Sequence, residues 1–315
     1  MKIGILDDYQ NVVKDLPCFT TLVDHEVTIF NGSDSEDELI KQLHDIEALV
    51  LIRERTAIDA NLLSQLPNLK VISQTGKISQ HIDMTACNQY GITVLEGRGS
   101  PVAPAELCWA LMMAATRMIP SYCHYLSQGH WQQNNMQRLG RTLDGLQLGI
   151  WGYGKIGKRI ANYARAFGMT VVIWGSERSR HIAQQDGYLI APSRAHFFSE
   201  SDIISLHLRL NDQTRHTVTK SDLQLMKSDS LFVNTSRAEL VEPNALYHEL
   251  RHHPTKQAAI DVFDIEPATP ENELLLSLSN VTATPHLGYV ERNSYEMYFK
   301  IAFDNLLTYI RTNLI

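Results

Sequence analysis

Short apolar runs alternate with amphipathic stretches from the first residues of the chain. Four runs are typical of strands, at residues 2–6, 27–30, 48–52 and 69–73. Between them, residues 36–44 and 59–66 repeat their apolar positions at helical spacing. This alternation predicts a parallel sheet with helices on both faces.

A second series of the same kind follows an apolar helix that is predicted to end near Met118. Its predicted strands are residues 147–151, 170–174, 203–207, 231–234, 257–261 and 281–284. We therefore predict an α/β protein with two doubly wound parallel-sheet units in tandem. The last helix, residues 293–312, has no strand after it and is expected to pack back on the first unit.

Composition narrows the class of protein. The 315 residues suffice for two domains, and a net charge of -7 without a basic block argues against a nucleic-acid partner.

The apolar run at the N-terminus is too short for a signal peptide, and no segment has the length of a membrane span. The four cysteines are far apart and form no metal-ligand pair. A cytoplasmic protein with reduced thiols, no metal and no membrane partner is expected.

The sequence Gly152-Tyr153-Gly154-Lys155-Ile156-Gly157 stands between a predicted strand and a predicted helix, and a second strand follows. This is the context of a dinucleotide-binding turn. Gly152 would permit the tight turn, Gly154 the approach of the pyrophosphate, and Gly157 close packing of helix and strand. The helix N-terminus would supply N–H groups to the phosphates.

The residues after the second strand bear on the choice of cofactor. Gly175 stands where an acidic residue usually accepts the ribose hydroxyls of NAD. Ser176, Arg178 and Arg180 follow and could hold a 2′-phosphate, which favours NADPH. Glu177 could serve as a displaced acid, so NADH stays open.

Three polar residues in the last third of the chain suit the reduction of a 2-keto acid. Arg237 and His286 lie just beyond predicted strands, and Glu266 lies a few residues beyond another. The carboxyl ends of parallel strands line the ligand crevice of an open sheet. Arg237 could bind the carboxylate or the carbonyl oxygen, His286 could supply a proton, and Glu266 could orient its imidazole.

These motifs resemble the D-isomer-specific 2-hydroxyacid dehydrogenase family along essentially the whole chain. The matching segments are residues 52–56, 75–76, 152–157, 233–237, 261–267 and 285–288. The resemblance implies that Arg237, Glu266 and His286 are the catalytic residues. It also implies a Rossmann cofactor domain inserted into a flavodoxin-like catalytic domain, with residues 1–99 and 288–315 in the catalytic domain and 100–287 in the cofactor domain.

The resemblance further implies which residues bind each ligand. The substrate carboxylate would be held by Arg53, Gly76, Lys77 and Ile78. The expected cofactor site comprises Gly152, Gly154, Lys155, Ile156, Gly157, Ser176, Arg178, Leu208, Thr235, Asp261 and Gly288. A homodimer is also expected. The polar segment 120–141 suits an arm that contacts a second subunit and a plain surface excursion equally well.

The chain departs from the family pattern at three places: Ala238 replaces a glycine, Arg209 replaces a proline, and residues 77–81 differ from the usual loop. The last departure bears on substrate choice. Formate dehydrogenases share the fold but pair the histidine with glutamine, and Glu266 argues against that activity. A corepressor-like protein that senses a dinucleotide is the alternative from another functional class.

Overall fold

The chain divides into two compact units in a computed structural model that describes residues 1–32 and 35–313. One unit comprises Met1–Ser100 together with Val290–Ile315, and the other comprises Pro101–Tyr289.

The first unit is a five-stranded parallel sheet in the order β2-β1-β3-β4-β5, which is the flavodoxin-like order. Its strands are β1 (Lys2–Ile5), β2 (Glu26–Ile29), β3 (Ala48–Leu51), β4 (Val71–Gln74) and β5 (Thr93–Leu95). Its helices are α1 (Glu36–Leu43), α2 (Ala60–Ser64), α3 (Met84–Gln89) and the terminal α11 (Arg292–Asn313), with 3-10 turns at Val13–Asp15 and Pro17–Leu22. Helix α11 packs on this sheet, where Ser73 Oγ donates to Ala302 O at 2.8 Å.

The second unit is a seven-stranded parallel sheet in the order β12-β11-β10-β9-β6-β7-β8. Its strands are β6 (Gln147–Trp151), β7 (Thr170–Trp174), β8 (Leu189–Ile190), β9 (Ile203–Leu206), β10 (Leu231–Asn234), β11 (Gln257–Ile260) and β12 (Val281–Ala283). Its helices are α4 (Val102–Thr116), α5 (Ile119–Ser127), α6 (Lys155–Ala166), α7 (Glu177–Gln185), α8 (Arg194–Glu200), α9 (Lys220–Leu225) and α10 (Ala245–His252), with 3-10 turns at Ala238–Leu240 and Leu274–Ser277. Counted from β6, the strand order is that of a Rossmann fold with one strand added.

The predicted α/β class and the doubly wound sheets are confirmed, and two edge strands were missed. Strand β5 has an exposed threonine, and β8 has only two residues with Leu189 59% exposed. Neither strand forms the buried apolar run that marks the central strands. The strands β3, β4, β9, β10 and β11 are buried throughout, as expected for a sheet covered on both faces.

No single helix in the described ranges is long and apolar enough to cross a membrane. Helices α4 and α5 pass that test of length and composition only as a pair, and they are bent by 64° relative to each other.

Candidate active site

The polar residues singled out in the second unit follow three neighbouring strands of its sheet, β10, β11 and β12, at their carboxyl ends. Arg237 stands three residues after β10, Asp261 directly after β11, and His286 three residues after β12. The strands are parallel and paired in register, with Asn234 opposite Ile260 and Ile260 opposite Ala283. The three side chains therefore start from one edge of the sheet.

A hydrogen bond of 2.7 Å joins His286 Nδ1 to Glu266 Oε2. The other carboxylate oxygen, Oε1, accepts from the backbone N–H of Phe263 at 3.1 Å, which fixes the glutamate. The side chains of His286 and Glu266 are 21% and 36% exposed. Because a carboxylate can only accept, Nδ1 carries the shared proton and Nε2 is the ring nitrogen left for a substrate.

The His286 backbone is in the left-handed region, with φ of 50°, which few residues other than glycine adopt. Buried Asp261 holds this loop in place. Its Oδ1 accepts from Thr284 Oγ1 at 2.6 Å and from Leu287 N at 2.7 Å, and its Oδ2 accepts from Gly288 N at 2.9 Å. Burial raises the pKa of Asp261, and these three donors and His286 oppose the rise. Asp261 thus organises the loop that presents the imidazole.

Arg237 is positioned by the residue that ends β10. Asn234 is 3% exposed, and its side chain accepts from Ser236 N at 3.1 Å and donates to Arg237 O at 2.9 Å. The half-buried Arg237 guanidinium donates to Ser236 O at 2.6 Å. Thr235, inside the same turn, reaches the buried thiol of Cys108. Asn234 was not singled out in the sequence. The feature that could have identified it is a polar side chain at the end of an apolar strand.

The glycine turn has the geometry that a dinucleotide phosphate requires. Gly152 has φ of 103°, and a Cβ there would lie 2.5 Å from His207 O and 3.2 Å from Leu208 Cδ2. A Cβ at Gly157 would collide with Gly152 O, whereas one at Gly154 would meet no atom within 4 Å. Helix α6 begins at Lys155 with no side-chain cap, so N–H groups of its first turn are available to an anion.

The segment after β7 has no side chain in the place of the usual acid. Gly175 has φ of 150°, a conformation in which another residue would be strained. Ser176 caps α7 by accepting from Ser179 N at 3.3 Å, and the exposed Arg178 lies in the first turn of that helix. Arg180 instead stacks on Trp174, with its Cζ 5.1 Å from the ring centroid.

The first unit contains the four residues expected to hold a substrate carboxylate. Arg53 follows β3 with φ of 56°, and its backbone is fixed by Thr75 Oγ1 at 3.0 Å and Gln74 Nε2 at 2.8 Å. A Cβ at Gly76 would collide with the Arg53 guanidinium, so a larger residue there would displace the guanidinium from this position. These contacts hold the arginine at the carboxyl end of the first sheet.

Glu96 holds the unusual loop that begins at Lys77. Its Oε1 accepts from Ile78 N at 3.1 Å, and its Oε2 lies 3.8 Å from Lys77 Nζ. The N–H of Ile78 is therefore already engaged, and a carboxylate could use it only by displacing Glu96. Sequence reasoning missed Glu96, which precedes the glycines of residues 97–99 without any motif of its own.

Comparison with known proteins agrees with this architecture. A family model described as "D-isomer specific 2-hydroxyacid dehydrogenase, NAD binding domain" matches residues 109–288. A glyoxylate reductase of Aeropyrum pernix is 35% identical over 280 residues, covering 87% of this chain and 82% of the relative. A hydroxypyruvate reductase of Thermotoga maritima is 35% identical over 265 residues, covering 84% of each chain.

A solved structure described as phosphoglycerate oxidoreductase from Vibrio cholerae O395 superposes with a TM-score of 0.98, at 60% identity and 99% coverage of both chains. The fold and these matches define an NAD-dependent oxidoreductase. The chain belongs to the D-isomer-specific 2-hydroxyacid dehydrogenase family.

Proposed function

We propose that this protein reduces a small 2-keto acid to the D-2-hydroxy acid, reversibly, with NAD(P)H. The observation that carries the proposal is the 2.7 Å bond between His286 and Glu266. It leaves Nε2 of His286 to donate a proton to the carbonyl oxygen, while Glu266 stabilises the ring orientation. Arg237 binds and polarises the substrate through its fork of donors. The bound nicotinamide supplies the hydride that adds to the carbonyl carbon.

The substrate class follows from the expected carboxylate site and from the names of the relatives. Arg53 with the backbone of Gly76, Lys77 and Ile78 would bind the carboxylate in the catalytic unit, with the carboxylate displacing Glu96 from the Ile78 N–H. Glyoxylate and hydroxypyruvate, which the two relatives' names give as substrates, are both small 2-keto acids. The Rossmann unit would bind the cofactor through Gly152, Gly154, Lys155, Ile156, Gly157, Leu208, Thr235, Asp261 and Gly288.

NADPH is the proposed cofactor. Gly175 carries no carboxylate that would repel a 2′-phosphate at the position of the usual acid, and Ser176 and Arg178 stand at the start of α7. Arg178→Gln should therefore raise the Kd of NADPH more than that of NADH. Arg251→Gln removes an exposed charge that bonds to Tyr247 within α10, and it serves as the control. Equal effects of Arg178→Gln on the two cofactors would refute the phosphate site.

A homodimer is also proposed, with segment 120–141 at its interface, in a cytoplasmic protein. Leu126, Trp131 and Leu139 in this segment are 55%, 74% and 85% exposed. Asn135 anchors the segment by donating to Ser279 O at 2.9 Å. Sedimentation of the wild type should give a dimer, and Trp131→Ser with Leu139→Ser should weaken it. A wild-type monomer would refute this assembly.

The test of the proposed reaction is cofactor oxidation by purified protein. The protein is mixed with NADH or NADPH and with one keto acid at a time: glyoxylate, hydroxypyruvate, pyruvate or phenylpyruvate. Oxidation is followed as the loss of absorbance of the reduced nicotinamide. Turnover of at least one keto acid is expected. Dinucleotide binding without any turnover would favour a dinucleotide-sensing binding protein of the same fold.

A further inference from the structure

Tyr153, between the first two glycines of the turn, is tied to the far end of α7. Its side chain is buried, and its hydroxyl donates to Asp186 Oδ2 at 2.9 Å. Asp186 is the C-cap residue of α7. Lys158 Nζ donates to the same oxygen at 2.9 Å, and Arg165 donates to Asp186 O at 3.2 Å. The turn and α6 therefore hold α7 at its C-terminal end.

The residues that lead from β7 into α7 also lie against the turn. Gly152 N donates to Trp174 O at 2.9 Å, and a Cβ at Gly175 would be 3.6 Å from Gly152 N. A helix attached at one end can pivot about that end, whereas attachment at both ends fixes its direction. Helix α7 has both attachments, and the Tyr153–Asp186 bond belongs to the second one.

The charge states of Asp186 and Tyr153 suit the bond between them. The Lys158 ammonium and the Tyr153 hydroxyl hold the pKa of Asp186 below its usual value, so it accepts as a carboxylate. Burial and the bond to Asp186 raise the pKa of Tyr153, so its hydroxyl keeps the proton that it donates. Hydrogen bonds to an ionised acceptor are stronger than neutral ones.

We propose that Tyr153 is a positioning residue that fixes the spacing between the pyrophosphate turn and the start of α7, and thereby supports selection of NADPH over NADH. The inference rests on the proposed 2′-phosphate site at Ser176 and Arg178. NADPH must place its pyrophosphate at the turn and its 2′-phosphate at the start of α7 at the same time. NADH has no 2′-phosphate, so its binding depends on the turn. Loss of the Tyr153 bond leaves the Lys158 and Arg165 bonds to Asp186 in place but loosens this attachment. A resulting shift of α7 weakens NADPH more than NADH.

The experiment measures Kd for both cofactors by fluorescence titration of the full chain. Tyr153→Phe should raise the Kd of NADPH by about fivefold, the value of one typical hydrogen bond, and leave the Kd of NADH nearly unchanged. Tyr188→Phe is the matched control. The Tyr188 hydroxyl donates to Asn162 Oδ1 at 2.7 Å, and the ring centroids of Tyr188 and Tyr153 are 5.7 Å apart. That variant should keep the wild-type ratio of the two Kd values.

Asp186→Asn is a second variant and should also reduce the preference for NADPH over NADH. If Tyr153→Phe does not fold, the ratio of the two Kd values in Asp186→Asn tests the inference. A wild type that prefers NADPH, with an unchanged ratio in these variants, overturns the inference alone. A wild type that binds both cofactors equally refutes the 2′-phosphate site and the inference with it.

Discussion

Glu266→Gln tests how the histidine is oriented. The glutamate uses one oxygen for Phe263 N and the other for His286 Nδ1. An amide has one acceptor oxygen and one NH₂ group, so it cannot accept from both. If its oxygen stays with Phe263, its NH₂ group faces Nδ1, and Nδ1 must be unprotonated. The imidazolium, which needs protons on both nitrogens, is then disfavoured.

The size of the effect follows from the bond that is lost. Hydrogen bonds to charged groups contribute about 1.5–3 kcal/mol, and the lower half applies because the Glu266 side chain is 36% exposed. A loss of about 2 kcal/mol lowers kcat/KM for keto-acid reduction about 30-fold. The Kd of the cofactor should not change, since no atom of the glycine turn is altered.

Steady-state kinetics and fluorescence titration check this expectation together. Glu273→Gln is the matched control, because Glu273 accepts the backbone N–H of Leu275 at 2.9 Å, and the amide oxygen can keep that bond. The control should retain wild-type kcat/KM. Unchanged kcat/KM in Glu266→Gln would refute the orienting role.

Two further predictions concern the cofactor unit. Gly157→Ala should lower the free energy of unfolding because its Cβ collides with Gly152 O, whereas Gly154→Ala, whose Cβ meets no atom within 4 Å, should fold normally but bind the dinucleotide more weakly. Urea unfolding measures the first effect and cofactor titration the second. Normal cofactor affinity in Gly154→Ala would contradict the assignment of the turn to the dinucleotide. Burial lowers the pKa of His207 from 6.5 to about 4, so the folded state resists protonation, and the stability present above pH 6.5 is lost as pH falls toward 4. Wild type should lose about 2 kcal/mol more than His207→Gln between pH 7.5 and pH 4.5, as measured by urea unfolding at both values, and equal losses would show that His207 does not carry this dependence.

The apolar runs were sufficient to predict the central strands because each is buried on both faces. The same rule failed at β8, whose two residues lie at the sheet edge with Leu189 exposed. The pattern of apolar residues also does not predict backbone conformation. Arg53 and His286 adopt positive φ although neither is glycine.

Side-chain partners that are distant in the chain were predicted unevenly. The pairing of Glu266 with His286, 20 residues apart, was expected because an imidazole that moves a proton needs a carboxylate to orient it, whereas the pairing of Tyr153 with Asp186, 33 residues apart, was not expected. The second pairing depends on packing and loop conformation, which no local pattern encodes. The positions after β10 and β12 were predictable because parallel strands end at one edge of a sheet.

The most direct test of the proposed chemistry compares wild type with His286→Gln on the best keto acid found in the substrate panel. Turnover and cofactor Kd are measured on the same preparations. We expect turnover to be abolished while the Kd of the dinucleotide stays near the wild-type value. Wild-type turnover in His286→Gln would contradict the role of this histidine as the proton donor.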